Sequence, residues 1–145
     1  MRKIILSAVA AGMMLVASPA IAQDSSYKLG PMWTASRILV NDGQFENYTT
    51  YLMKTWRDNQ VFAKSQGWIL DYHILDSVNP RDGEPNIILL TSFRDFPSVA
   101  EIERRDKIME ARMKQDAHAS DAASGSRGTM RKLMGSVLYR ELLPR

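Results

Sequence analysis

The chain contains no cysteine in its 145 residues. That excludes a disulfide framework, a thiol nucleophile and a lipid-anchoring cysteine. Histidine is almost absent as well. Only His73 and His118 occur, so a zinc site would have to be completed by carboxylates. Gly125-Ser126-Arg127-Gly128 lacks the spacing and the lysine of a phosphate-binding loop. No GxSxG nucleophile elbow is present. No apolar run reaches the roughly 18–20 residues that span a bilayer. What is there is the material of one ordinary domain, with 45% apolar and 24% charged residues. That length excludes a large multidomain enzyme, and the composition excludes a wholly disordered chain.

The first residues read as an address, not as fold. Met1-Arg2-Lys3 is a short positive region, and Ile4 to Val16 is apolar. Ala17-Ser18-Pro19 breaks the run, and Ala20-Ile21-Ala22 has the small-x-small form of a cleavage site. The expectation is a secretory signal peptide over residues 1–22, cleaved after Ala22, of bacterial style. A periplasmic or secreted protein follows, with no membrane attachment after cleavage. Arg2 and Lys3 leave with the leader, so 17 of the 19 basic residues then face 16 acidic ones. The basic balance of the precursor is therefore partly a leader effect and gives no support for nucleic-acid binding. The remaining 120 or so residues can bury a core without disulfides.

Residues 23–31 read as a flexible lead-in, and 32–143 as the folded domain. Met32 to Val40 (MWTASRILV) has the composition of a strand. Asn41-Asp42-Gly43 is a turn, with Asp42 as candidate cap for the next helix. Phe45, Tyr48, Leu52, Trp56 and Ala63 share one helical face, and Gly67 suits the helix end. Trp68 to Asp76 (WILDYHILD) alternates: Trp68, Leu70, Tyr72 and Ile74 on one face, Ile69, Asp71, His73 and Leu75 on the other. A turn-rich stretch, 79–85, leads into Asn86 to Phe93, an almost continuously apolar strand covered on both faces. Ser98 and its neighbours open a second helix carrying Val99, Ile102, Met109 and Met113. His118 to Gly128, small and polar, reads as a loop. A short helical turn over Thr129 to Met134 and a last strand over Gly135 to Leu143 follow.

The resulting order, β-α-β-β-α-β, is the ferredoxin-like split βαβ pattern: an α+β fold with an antiparallel sheet and two helices on one face. Apolar residues on both strand faces leave one sheet face bare, and a twofold homodimer formed sheet to sheet would cover it. On the element order, the helix FENYTTYLMKTW and the strands QGWILDYHIL and GSVLYREL, the chain resembles the dimeric α+β barrel superfamily from about Met32 to Leu143. That class includes small monooxygenase-like and haem-degrading proteins, stress-responsive barrels and exported proteins of unknown role. The resemblance constrains architecture more than chemistry. The haem-degrading branch uses an Asn, Trp and His constellation. Here Trp68 could stand for the tryptophan, but the second helix has no histidine in its central turns and His118 lies at or past its end. That departure argues against haem degradation.

Two clusters remain as candidate sites. Tyr48, Trp56, Trp68 and Tyr72, with Trp33 at the first strand, either fill the core or wall a flat apolar pocket between sheet and helices. Arg37, Asp71, His73, Arg140 and Glu141 sit inside strands and need partners. They form structural ion pairs, or His73 serves as a base near neutrality. Arg131, with Arg127, could hold a carboxylate or phosphate at the pocket mouth. Asp71 and His73 share a strand face as two metal ligands would, but the pair is too weak to predict a metal, and no cofactor is expected. The expected function is binding of a small aromatic or apolar molecule. A cofactor-free monooxygenase-like or isomerase-like reaction is the catalytic version, with His73 the catalytic group and Tyr48, Trp56, Trp68, Tyr72 and Arg131 the ligand contacts. The alternative is a non-catalytic periplasmic stress or envelope protein whose apolar sheet face serves only oligomerisation.

Overall fold

A computed structural model describes residues 24–145. The expected leader over residues 1–22 and its expected cleavage after Ala22 lie outside the described residues. The chain enters the fold as a long strand, β1 (Tyr27–Val40). A continuous helix follows, made of α1 (Phe45–Tyr51), a π-helical segment (Leu52–Trp56) and α2 (Arg57–Ser65). Next come β2 (Asp71–Asp76), β3 (Ile87–Phe93), α3 (Val99–Met113), α4 (Ala117–Ser126), a 3₁₀ turn (Arg127–Thr129) and β4 (Arg131–Pro144). The four strands form one antiparallel sheet in the order β2-β3-β1-β4. This is a small α+β fold, compatible with the ferredoxin-like plan but carrying three helices where two were expected. Among the described residues no helix is long and apolar enough to cross a membrane.

The third helix is α4, in the stretch predicted to be a loop. Its sequence, AHASDAASGS, holds four alanines, the best helix formers. Asp116 caps it, its carboxylate accepting the Ala119 amide at 2.8 Å. Small polar residues are common in loops, but here the alanines and the Asp116 cap, three residues before Ala119, set a helix. Other boundaries move too. β1 begins at Tyr27, inside the predicted lead-in, because β4 is long enough to pair with it there, Tyr27 opposite Pro144. β4 starts at Arg131, where a helical turn was expected, with the 3₁₀ turn completed before it. β2 starts at Asp71, since Trp68 still closes the preceding helix by donating to Ala63 O at 3.0 Å. Asp42 does not cap the first helix. Gln44 occupies the N-cap position and makes no side-chain cap bond. Ser98 does cap α3, accepting the Glu101 amide at 3.2 Å.

Register sorts the sheet into two faces. Ile38 faces Ile87 and Ser36 faces Leu89 across β1–β3, while Ile74 faces Leu89 across β2–β3. Tyr48 and Leu52, four residues apart and so on one side of their helix, pack onto this face. The core is Ile38, Val40, Tyr48, Leu52, Ile87 and Leu89, with Tyr51, Trp56, Ile74 and Met130 packed around it. Leu52 is wholly buried, a burial that stabilises the fold by roughly 1.5–3 kcal/mol. The opposite face carries Trp33, Ala35 and Arg37 on β1, Ile88 and Leu90 on β3, and Asp71, His73 and Leu75 on β2. Tyr139 and Val137 of β4 complete it. This face of β3 is less covered than the other along its first residues: Ile87 and Leu89 are buried and Ile88 and Leu90 half-buried, although Ala35 and Ser92 on the same side are buried.

β1 and β4 approach closely at Gly30. A Cβ there would meet Glu141 Cβ and Leu143 Cγ at 3.1 Å, so a larger residue would push these neighbours aside by a few tenths of an ångström. Further along, the register shifts between Ser36 and Ile38, and Gly135 on the partner strand takes φ +88°, a left-handed conformation suited to a bulge.

Candidate ligand-binding site

The aromatic residues singled out in the sequence do not gather around one pocket. Tyr48 is core, 1% exposed, its ring stacked on Tyr51 at 5.9 Å between centroids. Trp56 meets Tyr72 edge to face at 5.7 Å, closing the far end of the core. Trp68 packs edge to face on Phe62 at 5.6 Å, with the Arg105 guanidinium 5.3 Å from its ring. It also lines a separate hollow of about 180 Å³ with Phe93 and Phe96. The gap between sheet and first helix is therefore filled by side chains.

His73 lies on the other face of the sheet, away from all of these. Its ring stacks on Trp33 at 5.9 Å, and its Nε2 is 3.5 Å from Asp71 Oδ2. Asp71 also accepts Lys64 Nζ at 2.9 Å, a hydrogen bond that holds its carboxyl below the usual range. Trp33 donates its indole Nε1–H to Glu141 at 3.1 Å. Arg140 donates to Gly30 O at 3.2 Å. Of the polar strand residues, Asp71 and His73 pair with each other, while Glu141 is met by the Trp33 indole and Arg140 by a backbone carbonyl. Among the described residues no group of three or more His, Asp or Glu side chains is placed to hold a metal ion.

Two arginines do converge on the helix-covered side. Arg131, the first residue of β4, sits 5.9 Å from the Tyr48 ring, and Arg127, the first residue of the 3₁₀ turn, sits 4.8 Å from the Tyr51 ring. Each guanidinium faces a negative ring face, a cation–π arrangement. Burial raises the Tyr48 phenol above its ordinary value, and the positive charges of Arg131 and Arg127 oppose that shift. Arg127 Nε is buried without a hydrogen-bond partner. No ion pair among the described residues involves Arg127. Leaving a buried donor unsatisfied costs about 1–3 kcal/mol or more, which native interiors rarely accept without reason.

Arg127 lines a cavity of about 280 Å³ between the first helix, the end of α3 and α4. Tyr51, Thr55 and Asn59 form its wall on the first helix. Their spacing of four places them in a stripe beside the Tyr48–Leu52 core stripe. The π-helical segment falls in the middle of this wall, with the Arg57 amide bonding back five residues to Leu52 O. Such segments are rare and are frequent at functional sites. Met113 and Gln115 close one side, and Ser120 and Ala123 of α4 another. Asn59 Nδ2 reaches only the Met113 sulfur, at 3.8 Å, a weak acceptor, so the amide retains hydrogen-bonding capacity. Of these residues the sequence marks only Arg127 as a candidate ligand contact. The Tyr51-Thr55-Asn59 stripe was legible as a period of four, but it borders α4, whose existence was not anticipated.

The cavity offers one fixed cation, two hydroxyls, two amides, a phenol ring and a thioether. It can orient a small ligand by charge and hydrogen bonds against an apolar wall, and it contains no carboxylate or imidazole to move a proton. No family model, curated protein or solved structure matches the chain, so these side chains are what its function must be read from.

Proposed function

We propose that the chain is an exported small-molecule-binding protein of ferredoxin-like, dimeric α+β barrel type, with its ligand held in the cavity between the first helix and α4. The observation that carries this reading is the Arg127 guanidinium, which lines that cavity and has no ion pair among the described residues. A ligand acceptor reaching the guanidinium from the cavity would give its charge a partner. At about 280 Å³ the space lies just below the roughly 300–1,000 Å³ of typical ligand pockets, so the ligand is small. Binding is better supported than catalysis, because His73 lies across the sheet from the cavity and the cavity's own lining has no strong base. The monooxygenase-like and isomerase-like versions would need a base brought in by the ligand or by movement of the chain.

The dimer follows from the uncovered sheet face. Leu75, Val137 and Tyr139 on it are 45%, 38% and 55% exposed. A second copy, sheet to sheet, would cover them in the commonest closed symmetry. One observation favours the non-catalytic envelope reading: Tyr48 and Leu52 leave no space between sheet and first helix. In that case the apolar sheet face alone would be functional.

Native mass spectrometry of protein exported and purified from a periplasm tests both. The expected result is a dimer of the chain lacking residues 1–22, carrying an additional small mass that is lost in Arg127→Gln. A dimer with no added mass in wild type, even at low activation energy, supports the envelope reading. A monomer removes the sheet-to-sheet dimer. A chain of full length recovered there removes the cleavage after Ala22, and absence of the chain from the periplasmic fraction removes the export assignment.

A further inference from the structure

We infer that the cavity at Arg127 selects a small organic monoanion, a carboxylate on a flat apolar body, and that Arg127 reads its charge. This deepens the binding reading and rests on it. Arg127 is the only formally charged side chain among the residues lining the cavity, and no acidic group there neutralises it or repels an anion. The guanidinium is already held over the Tyr51 ring at 4.8 Å, so its orientation is set before a ligand arrives. Guanidinium suits a carboxylate because its planar fork presents parallel donors to two oxygens. No carboxylate among the described residues pairs with the Arg127 guanidinium.

The remaining lining limits the rest of the ligand. Tyr51 and Met113 supply an aromatic and a thioether surface, which favour a flat apolar body. Thr55 and Ser120 supply hydroxyls that can complete the shell of a carboxylate or of a ring substituent. Net negative charge beyond one is disfavoured. The outer surface beside the cavity, on α3 and α4, carries Asp106, Glu110 and Asp121 around a shallow hollow. A dianion or polyphosphate would meet their repulsion with only one arginine in the cavity to offset it.

The test is isothermal titration of the full mature protein with benzoate, its neutral counterpart benzamide, and inorganic phosphate. Arg127→Gln and Arg127→Lys are titrated in parallel. The expected order is benzoate first, with benzamide and phosphate at least tenfold weaker. Arg127→Gln should lose benzoate by about ten- to a hundredfold, the equivalent of one charge-assisted hydrogen bond or a pair of them. Arg127→Lys should fall between, keeping the charge without the fork. Should Arg127→Gln fail to fold, the benzoate-to-benzamide ratio of wild type decides alone. Equal affinity for benzoate and benzamide would overturn the anion assignment and leave the cavity as a neutral-ligand site. Phosphate bound more tightly than benzoate would overturn the apolar-body assignment. If none of the three binds, yet native mass spectrometry shows a retained mass, the ligand class is wrong and the binding reading stands. With no binding and no retained mass, both fall.

Discussion

The two sides of the first helix are built differently. Toward the sheet, Tyr48 and Leu52 are 1% and 0% exposed and lock against Ile38, Val40, Ile87 and Leu89. Away from it, α3 and α4 contain no buried residue at all. They are held by caps, by cation–π contacts such as Arg112 on Phe62 at 4.4 Å, and by surface ion pairs. Tight packing leaves no room for a ligand, and loose packing leaves a cavity. The contrast teaches that the close packing in this molecule lies between helix and sheet, and that the cavity proposed for a ligand lies between helices. Regions that bind or move are generally drawn from the less stable part of a fold.

The comparison breaks most sharply at Leu52. Leu52→Ala should destabilise the protein by about 2–5 kcal/mol, measured by urea unfolding, because a wholly buried leucine leaves a cavity. Trp56→Ala, half-buried at the rim of the same core, should cost about 2–3 kcal/mol and leave ligand binding intact. If instead it spares stability and abolishes binding, the ligand sits between sheet and helix after all. On the looser side, Asp116→Ala should cost only about 1 kcal/mol, the usual worth of an N-cap. It should also raise hydrogen exchange selectively in α4 and weaken any cavity ligand. Equal loss of protection in β1 and β3 would show that the two sides unfold as one unit.

Smaller effects follow from titration. Tyr48 has a raised phenol, so the folded state holds that proton more tightly than the unfolded chain does. The associated stability is complete below about pH 10 and is lost as pH climbs through the raised value. Thermal unfolding of Tyr48→Phe should therefore be flatter than wild type on the alkaline limb. The smallest effect belongs to Glu101. Hydrogen bonds from Arg104 and then Arg105 hold its carboxyl down at about 2, against an ordinary 4.5. The stability it contributes is present above pH 4.5 and is lost as pH falls through about 2. The pair is surface-exposed, so Glu101→Gln should flatten the acid limb only slightly, and added salt should erase the difference.

The two sides also differ in how readily sequence reveals them. The inner one is written in periods. Tyr48 and Leu52 fall four apart, Ile87 and Leu89 two apart, and Ile38 lies two from Val40, so helix, strands and core face follow from spacing. α4 was missed because serine, glycine and aspartate suggest a loop, while its alanines and the Asp116 cap are weaker signals. With α4 unseen, the cavity that it closes could not be anticipated, and the aromatic residues were assigned a shared pocket that the fold divides into separate pairs.

The amino-acid sequence by itself determined the class of fold, the alternation that gives the sheet two apolar faces, and the absence of thiol and P-loop chemistry. These are local or compositional properties: periodicity, turn residues and residue counts act within a few positions of the chain. Only the tertiary structure decided which groups meet. Tyr51 and Arg127 are far apart in sequence, yet lie 4.8 Å apart across the helix layer. Trp33, opposite Ser92, and His73, opposite Leu90, come together diagonally across β3 because that strand inserts between β1 and β2. Contacts of that kind depend on strand order, register and the placement of α4, each set by the packing of the whole chain and by no single segment of it.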